Sequence, residues 1–122
     1  MPDPRLLECF PSPSQAPFLI EHVSEEFTSV CPMTGHPDFG SVTLRYEPDA
    51  LCVELKSLKL YFQSFRSEGI FYEAVTNRIR DDLASAMRPR WMQIITDWKG
   101  RGGIRSRITA TSGKVPEEWI RP

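Results

Sequence analysis

Cys31 and Asp38 belong to one short run, Ser29-Val30-Cys31-Pro32-Met33-Thr34-Gly35-His36-Pro37-Asp38-Phe39. Its prolines and glycine mark a loop, and loops held by a scaffold often carry reactive groups. A thiol and a carboxylate this close in sequence can meet across a small electrophile. The thiolate would attack and the acid would supply a proton. From spacing alone the plainer alternative is the stronger: Cys31 as a buried small hydrophobe beside a turn-forming aspartate. Cys31, His36 and Cys52 do not have a standard zinc-ligand spacing. No Gly-x-Gly-x-x-Gly run is present, so a dinucleotide could not be held in the Rossmann manner.

These residues need a scaffold, and hydrophobic periodicity suggests one. Val42, Leu44 and Tyr46 alternate with Thr43, Arg45 and Glu47, the period of a half-buried strand. Pro48-Asp49 is turn chemistry, and Leu51, Val53 and Leu55 alternate again, which predicts an antiparallel hairpin. Ser57 is a candidate helix cap. Leu58, Tyr61, Phe62 and Phe65 then recur at helical spacing. Phe71, Val75, Ile79, Leu83 and Met87 form a second apolar stripe that ends before Pro89. Residues 91–99 and 104–110, separated by Gly100-Arg101-Gly102-Gly103, predict a second hairpin. The order is β-β-α-α-β-β, an α+β fold with a four-stranded antiparallel sheet and two helices on one face. Such a sheet has two free edges, which association of subunits would close.

Pro2, Pro4, Pro11, Pro13 and Pro17 break regular structure at the start of the chain. Residues 1–16 are therefore expected to form a Pro-rich arm, lying on a neighbour or mobile, and residues 17–122 a single domain. The 122 residues suffice for one domain with its own core. A net charge of −1 points to neither a nucleic-acid nor a membrane surface. Three widely spread cysteines argue against a disulfide framework. The N-terminus lacks the order of a signal peptide, so a cytoplasmic location is expected.

The loop around Cys31 and the run Glu54-Leu55-Lys56-Ser57-Leu58-Lys59-Leu60-Tyr61 resemble the 7-cyano-7-deazaguanine reductase family. That family's signature is Glu-(Ser/Leu)-Lys-(Ser/Ala)-hydrophobic-Lys-(Leu/Tyr)-aromatic, and every position matches. Ser64-Phe65-Arg66, Phe71-Tyr72-Glu73, Pro89-Arg90 and Arg101-Gly102-Gly103 resemble later family segments in the same order. The resemblance covers roughly Pro17 to Ala110 and implies the tunnelling fold, in which the barrel closes only on oligomerisation. For a short chain of this type it implies two pentameric rings with active sites at subunit interfaces.

The implied reaction is the NADPH-dependent reduction of the nitrile of 7-cyano-7-deazaguanine to an aminomethyl group, in queuosine biosynthesis for tRNA modification. By resemblance, Cys31 is the nucleophile that forms a thioimidate and Asp38 is the proton donor. Glu73 would accept the paired donors of a guanine-like edge in a bidentate contact, although a glutamate in a helix's first turn is also ordinary. Val53, Glu54 and Leu55 match a second substrate-contacting stretch. Tyr72 stands where some relatives carry histidine; it keeps a flat ring and a polar tip but does not titrate near neutrality. Lys56, Lys59 and Arg101 are phosphate candidates for NADPH, the two lysines beside free helix N–H groups. Two lysines three apart are otherwise a solvated helix face. Two competing functions keep the same fold: an amidinotransferase acting on this nitrile in tRNA, and a non-enzymatic purine- or pterin-binding protein.

Overall fold

The computed structural model describes residues 1–121 and, of Arg101, the backbone alone. The strands are β1 (Cys9–Pro11), β2 (Ile20–Val30), β3 (Pro37–Glu47), β4 (Leu51–Val53), β5 (Trp91–Arg101) and β6 (Ile104–Ser112). The helices are α1 (Leu55–Gln63) and α2 (Tyr72–Met87). A four-stranded antiparallel sheet has the order β2-β3-β5-β6, and β1 pairs with β4 in a separate ribbon. The fold class is the expected α+β arrangement of two helices and antiparallel strands.

The first hairpin differs from the sequence-based expectation. The hairpin partner of β3 is β2, not residues 51–55, and β5 lies on its other side. A register shift between Ser24 and Phe27 breaks the alternation of β2 and hides it from a period-two reading. The N-terminal arm is also not free of its own chain. Its strand β1 pairs with β4, Asp3 N donates to Ser64 Oγ at 3.1 Å, and Glu54 N donates to Glu8 O at 2.9 Å.

One face of the sheet is sealed by the helices. Val42, Leu44, Tyr46, Leu58, Tyr61, Phe62, Phe65, Val75, Ile79, Leu83 and Met87 share that core, so both predicted helical stripes point inward. Phe71 does not belong to the stripe: it caps α2 and is 54% exposed. Ser57 is not the cap of α1 either. Glu54 is, accepting hydrogen bonds from the backbone N–H groups of Lys56 at 2.6 Å and Ser57 at 2.8 Å. The longer carboxylate side chain does what a serine usually does at this position. On the opposite face, the buried Arg45 guanidinium donates to Glu21, Gln93 and the Trp119 carbonyl, which pins the C-terminal segment across the sheet.

Candidate active site

Cys31 follows the last residue of β2, in the loop that leads to β3. The base of that loop is gripped from the side. Val30 N donates to Glu68 O at 2.9 Å and Ile70 N donates to Val30 O at 3.0 Å. The loop closes on itself through Cys31 N to His36 O at 2.9 Å and Gly35 N to Cys31 O at 2.8 Å. Gly35 has φ +75°, a conformation that favours glycine and lets the turn close. The turn folds donors back over the thiol. The Thr34 side chain, and then the Met33 and Thr34 backbone N–H groups, hold the Cys31 pKa below its usual value, while slight burial and the nearby Asp38 charge oppose them. The thiol remains partly exposed. A reactive cysteine needs this combination of access and a stabilised thiolate.

Asp38 lies near the start of β3, directly opposite Ser29 in the hairpin register, and is buried. Tyr72, the first residue of α2, donates from its hydroxyl to Asp38 Oδ1 at 3.3 Å. Its ring is stacked on Trp98, with centroids 4.2 Å apart and an interplanar angle of 7°. A buried chain of hydrogen bonds backs the stack. Trp98 Nε1 donates to Thr96 Oγ1 at 2.9 Å, Thr96 and Thr76 share a hydroxyl contact at 2.7 Å, and Thr76 Oγ1 donates to Tyr72 O at 2.7 Å. Gly40 makes room for this assembly, since a Cβ there would meet the Trp98 ring at 2.9 Å. With one ring face covered by Trp98, Tyr72 presents its hydroxyl to the acid.

Cys31, Asp38, Tyr72 and Glu73 line one cleft of about 190 Å³, together with Pro32, Ile70 and Phe71. Four residues singled out from the sequence therefore meet. Phe71 was not singled out as a site residue; its signal was a large aromatic just before Tyr72-Glu73, obscured because it also fits the helical stripe. Val53, Glu54 and Leu55 line a different cleft, with Phe10 and His22. The backbone N–H groups of Val53 and Glu54 are already taken, by the Tyr46 hydroxyl and Glu8 O. Lys59 lines a third cleft, of about 260 Å³, beside His22, Gln63 and Arg66. Lys56 is exposed at the start of α1. The helix N–H groups expected to help these lysines are occupied, because the Glu54 carboxylate caps them. The Arg101 side chain lies outside the described residues. Among the described residues, no cluster of three or more His, Cys, Asp or Glu side chains is placed to hold a metal ion.

Comparison with known proteins places this geometry in a family. A family model described as QueF-like protein matches residues 37–117, which include Asp38, Val53 to Lys59, Tyr72, Glu73 and Arg101. A protein of Chloroherpeton thalassium is 58% identical over 111 residues, 88% of this chain and 94% of its own length. The chain belongs to the QueF-like family. That relative is named NADPH-dependent 7-cyano-7-deazaguanine reductase, as is a protein of Anaeromyxobacter sp. that is 56% identical, over 92% of this chain and 93% of its own. A third relative of the same name, from Chlorobium phaeovibrioides, is 61% identical over 77% of this chain and 81% of its own. Among solved structures, the apo archaeosine synthase QueF-Like superposes with a TM-score of 0.76 at 23% identity, covering 83% of this chain and 99% of that one. At that identity the likeness shows a shared fold.

Proposed function

We propose that this QueF-like chain reduces the nitrile of 7-cyano-7-deazaguanine to an aminomethyl group with NADPH, in queuosine biosynthesis. One observation carries the reading: a thiol with a lowered pKa shares a cleft with a buried carboxyl, in a chain 58% identical to a relative named for this reaction. A nitrile is a weak electrophile, and covalent addition divides a hard step into easier ones. The Cys31 sulfur bonds to the nitrile carbon, and the proton leaving the thiol reaches the nitrile nitrogen through Asp38. The product of this step is a thioimidate on Cys31. The donors of the Cys31 turn stabilise the thiolate when sulfur leaves again after the first reduction. Glu73, at the exposed start of α2, accepts the ring N–H and amino donors of the purine-like edge. Tyr72 holds the acid through its hydroxyl.

Each NADPH, when bound, would supply one hydride, so two NADPH molecules are needed for each nitrile reduced. We assign a cofactor phosphate to the cleft that Lys59 and Arg66 line, which Glu26 also lines; Lys56 and Arg101 are the further candidates of this reading. Val53, Glu54 and Leu55 complete the substrate site from a neighbouring subunit, since within one chain they do not line the Cys31 cleft. The outer strands β2 and β6 have no partner on one side among the described residues, which supports closure by association; two pentameric rings are the assembly of this reading. Among the described residues, no helix is long and apolar enough to cross a membrane. A cytoplasmic location is part of this reading.

The test is a mixture of protein, nitrile base and NADPH followed by absorbance and by product mass. Two NADPH oxidised per aminomethyl product is the expected result. Ammonia incorporation without NADPH oxidation would mean amidinotransfer, and binding without turnover would mean a non-enzymatic role.

A further inference from the structure

Ser29 is fully buried, and its hydroxyl is one of two buried side-chain polar groups among the described residues that have no hydrogen-bond partner. An unpaired hydroxyl in an interior is costly and calls for a physical reason. Its position supplies one. Ser29 pairs directly with Asp38 across the β2–β3 hairpin, so the two side chains stand on the same face as near neighbours. Cys31 is two residues further along the same strand direction. Ser29 does not line the cleft, so its hydroxyl is placed to act on the acid and not on a substrate. The Tyr72 contact to Asp38 Oδ1, at 3.3 Å, is long for a hydroxyl donating to a carboxylate. Contacts of this kind tighten when substrate fills a site.

We propose that Ser29 is a positioning residue for Asp38, donating its hydroxyl proton to Oδ2 when the occupied cleft brings the carboxyl into its working position. Tyr72 then holds one oxygen and Ser29 the other, so the carboxyl plane is fixed toward the nitrile nitrogen. A hydroxyl that donates to a carboxyl matches the ionised form of the acid. In the resting protein the Ser29 hydroxyl has no partner among the described residues. This inference rests on the proposed reaction for its kinetic consequence but not for its electrostatic one.

Ser29→Ala separates the possibilities. No resting bond is lost, so thermal unfolding should occur at the wild-type temperature or above it. Thioimidate formation and kcat should fall roughly tenfold to a hundredfold, the effect of one hydrogen bond to a charged group. KM for the nitrile should change little. The limb of the pH profile that reports the acid should move to higher pH. In the complex with the nitrile base, carbon-13 NMR of labelled aspartate should show the Asp38 carboxyl titrating at higher pH in Ser29→Ala than in wild type. An unchanged rate and pH profile would overturn the proposal. So would a large loss of thermal stability or of assembly, because it would show that the hydroxyl already makes a structural bond. If wild type forms no thioimidate, the reaction assignment fails, and the NMR titration still decides the role of Ser29.

Discussion

Two regions of this protein carry cysteine, and they treat the thiol in opposite ways. In the loop between β2 and β3, Cys31 is partly exposed and surrounded by donors that pull its pKa down. In the β1–β4 ribbon, Cys52 is buried, and burial pushes the Cys9 thiol up, with the Cys52 charge adding to the effect. Cys9 Sγ makes a weak contact to Ala86 O at 3.6 Å. The residue type is the same, and the turn geometry decides which sulfur is a nucleophile and which is packing. The acid makes the contrast sharper: Asp38 accompanies Cys31 in its cleft, whereas the carboxylate in the cleft that Cys52 lines, Glu54, is engaged in capping α1.

The most severe way to break this contrast is to remove the acid while keeping the thiol. Asp38→Asn should fold, bind the nitrile base and keep Cys31 open to alkylation, yet form thioimidate and oxidise NADPH slower by a factor of roughly 10²–10⁴. Near-normal turnover would leave Asp38 as a turn residue and move the proton donor elsewhere. Glu73→Gln should weaken nitrile binding by about tenfold to over a hundredfold, because one acceptor becomes a donor facing a donor. Calorimetry showing unchanged affinity would reduce Glu73 to a helix-start residue.

A smaller effect is expected on the ribbon side, where the chain continues from β4 into α1. Lys59→Ala should raise KM for NADPH more than for NADH, and the difference should shrink at high salt. Equal losses with both cofactors would point to the stability of α1 instead. The smallest effect sharpens the comparison of the thiols themselves. Alkylation by iodoacetamide rises with pH as thiolate forms, so the profile for Cys31 should have its midpoint below the ordinary thiol value and that for Cys9 above it. Thr34→Ala removes the largest contribution and should move the Cys31 midpoint upward. Identical profiles for the two cysteines would contradict the turn's role.

Much of the scaffold was legible because its signals are local. The stripe Val75, Ile79, Leu83 and Met87 is fully buried in α2 as its spacing implies. The Gly102-Gly103 turn joins β5 to β6, with φ +58° and +81°. The first hairpin was not legible, because β2 is polar and interrupted where its register shifts, and its pairing with β3 is decided by tertiary contacts. Cys31 and Asp38 could be named from the loop, but the Tyr72–Trp98 stack could not. It joins residues far apart in sequence and depends on the space left by Gly40. The capping role of Glu54 was missed for another reason. The residue fits a family motif, and that motif masks its local use at the helix end.

The central claim is that Cys31 alone among the cysteines attacks the nitrile. Intact mass measured after mixing protein with 7-cyano-7-deazaguanine, without NADPH, tests it directly. Wild type, Cys9→Ala and Cys52→Ala should each gain the mass of one substrate per chain, and Cys31→Ala should gain none. An adduct that persists in Cys31→Ala, or one that disappears in a correctly assembled Cys9→Ala or Cys52→Ala, would contradict the account.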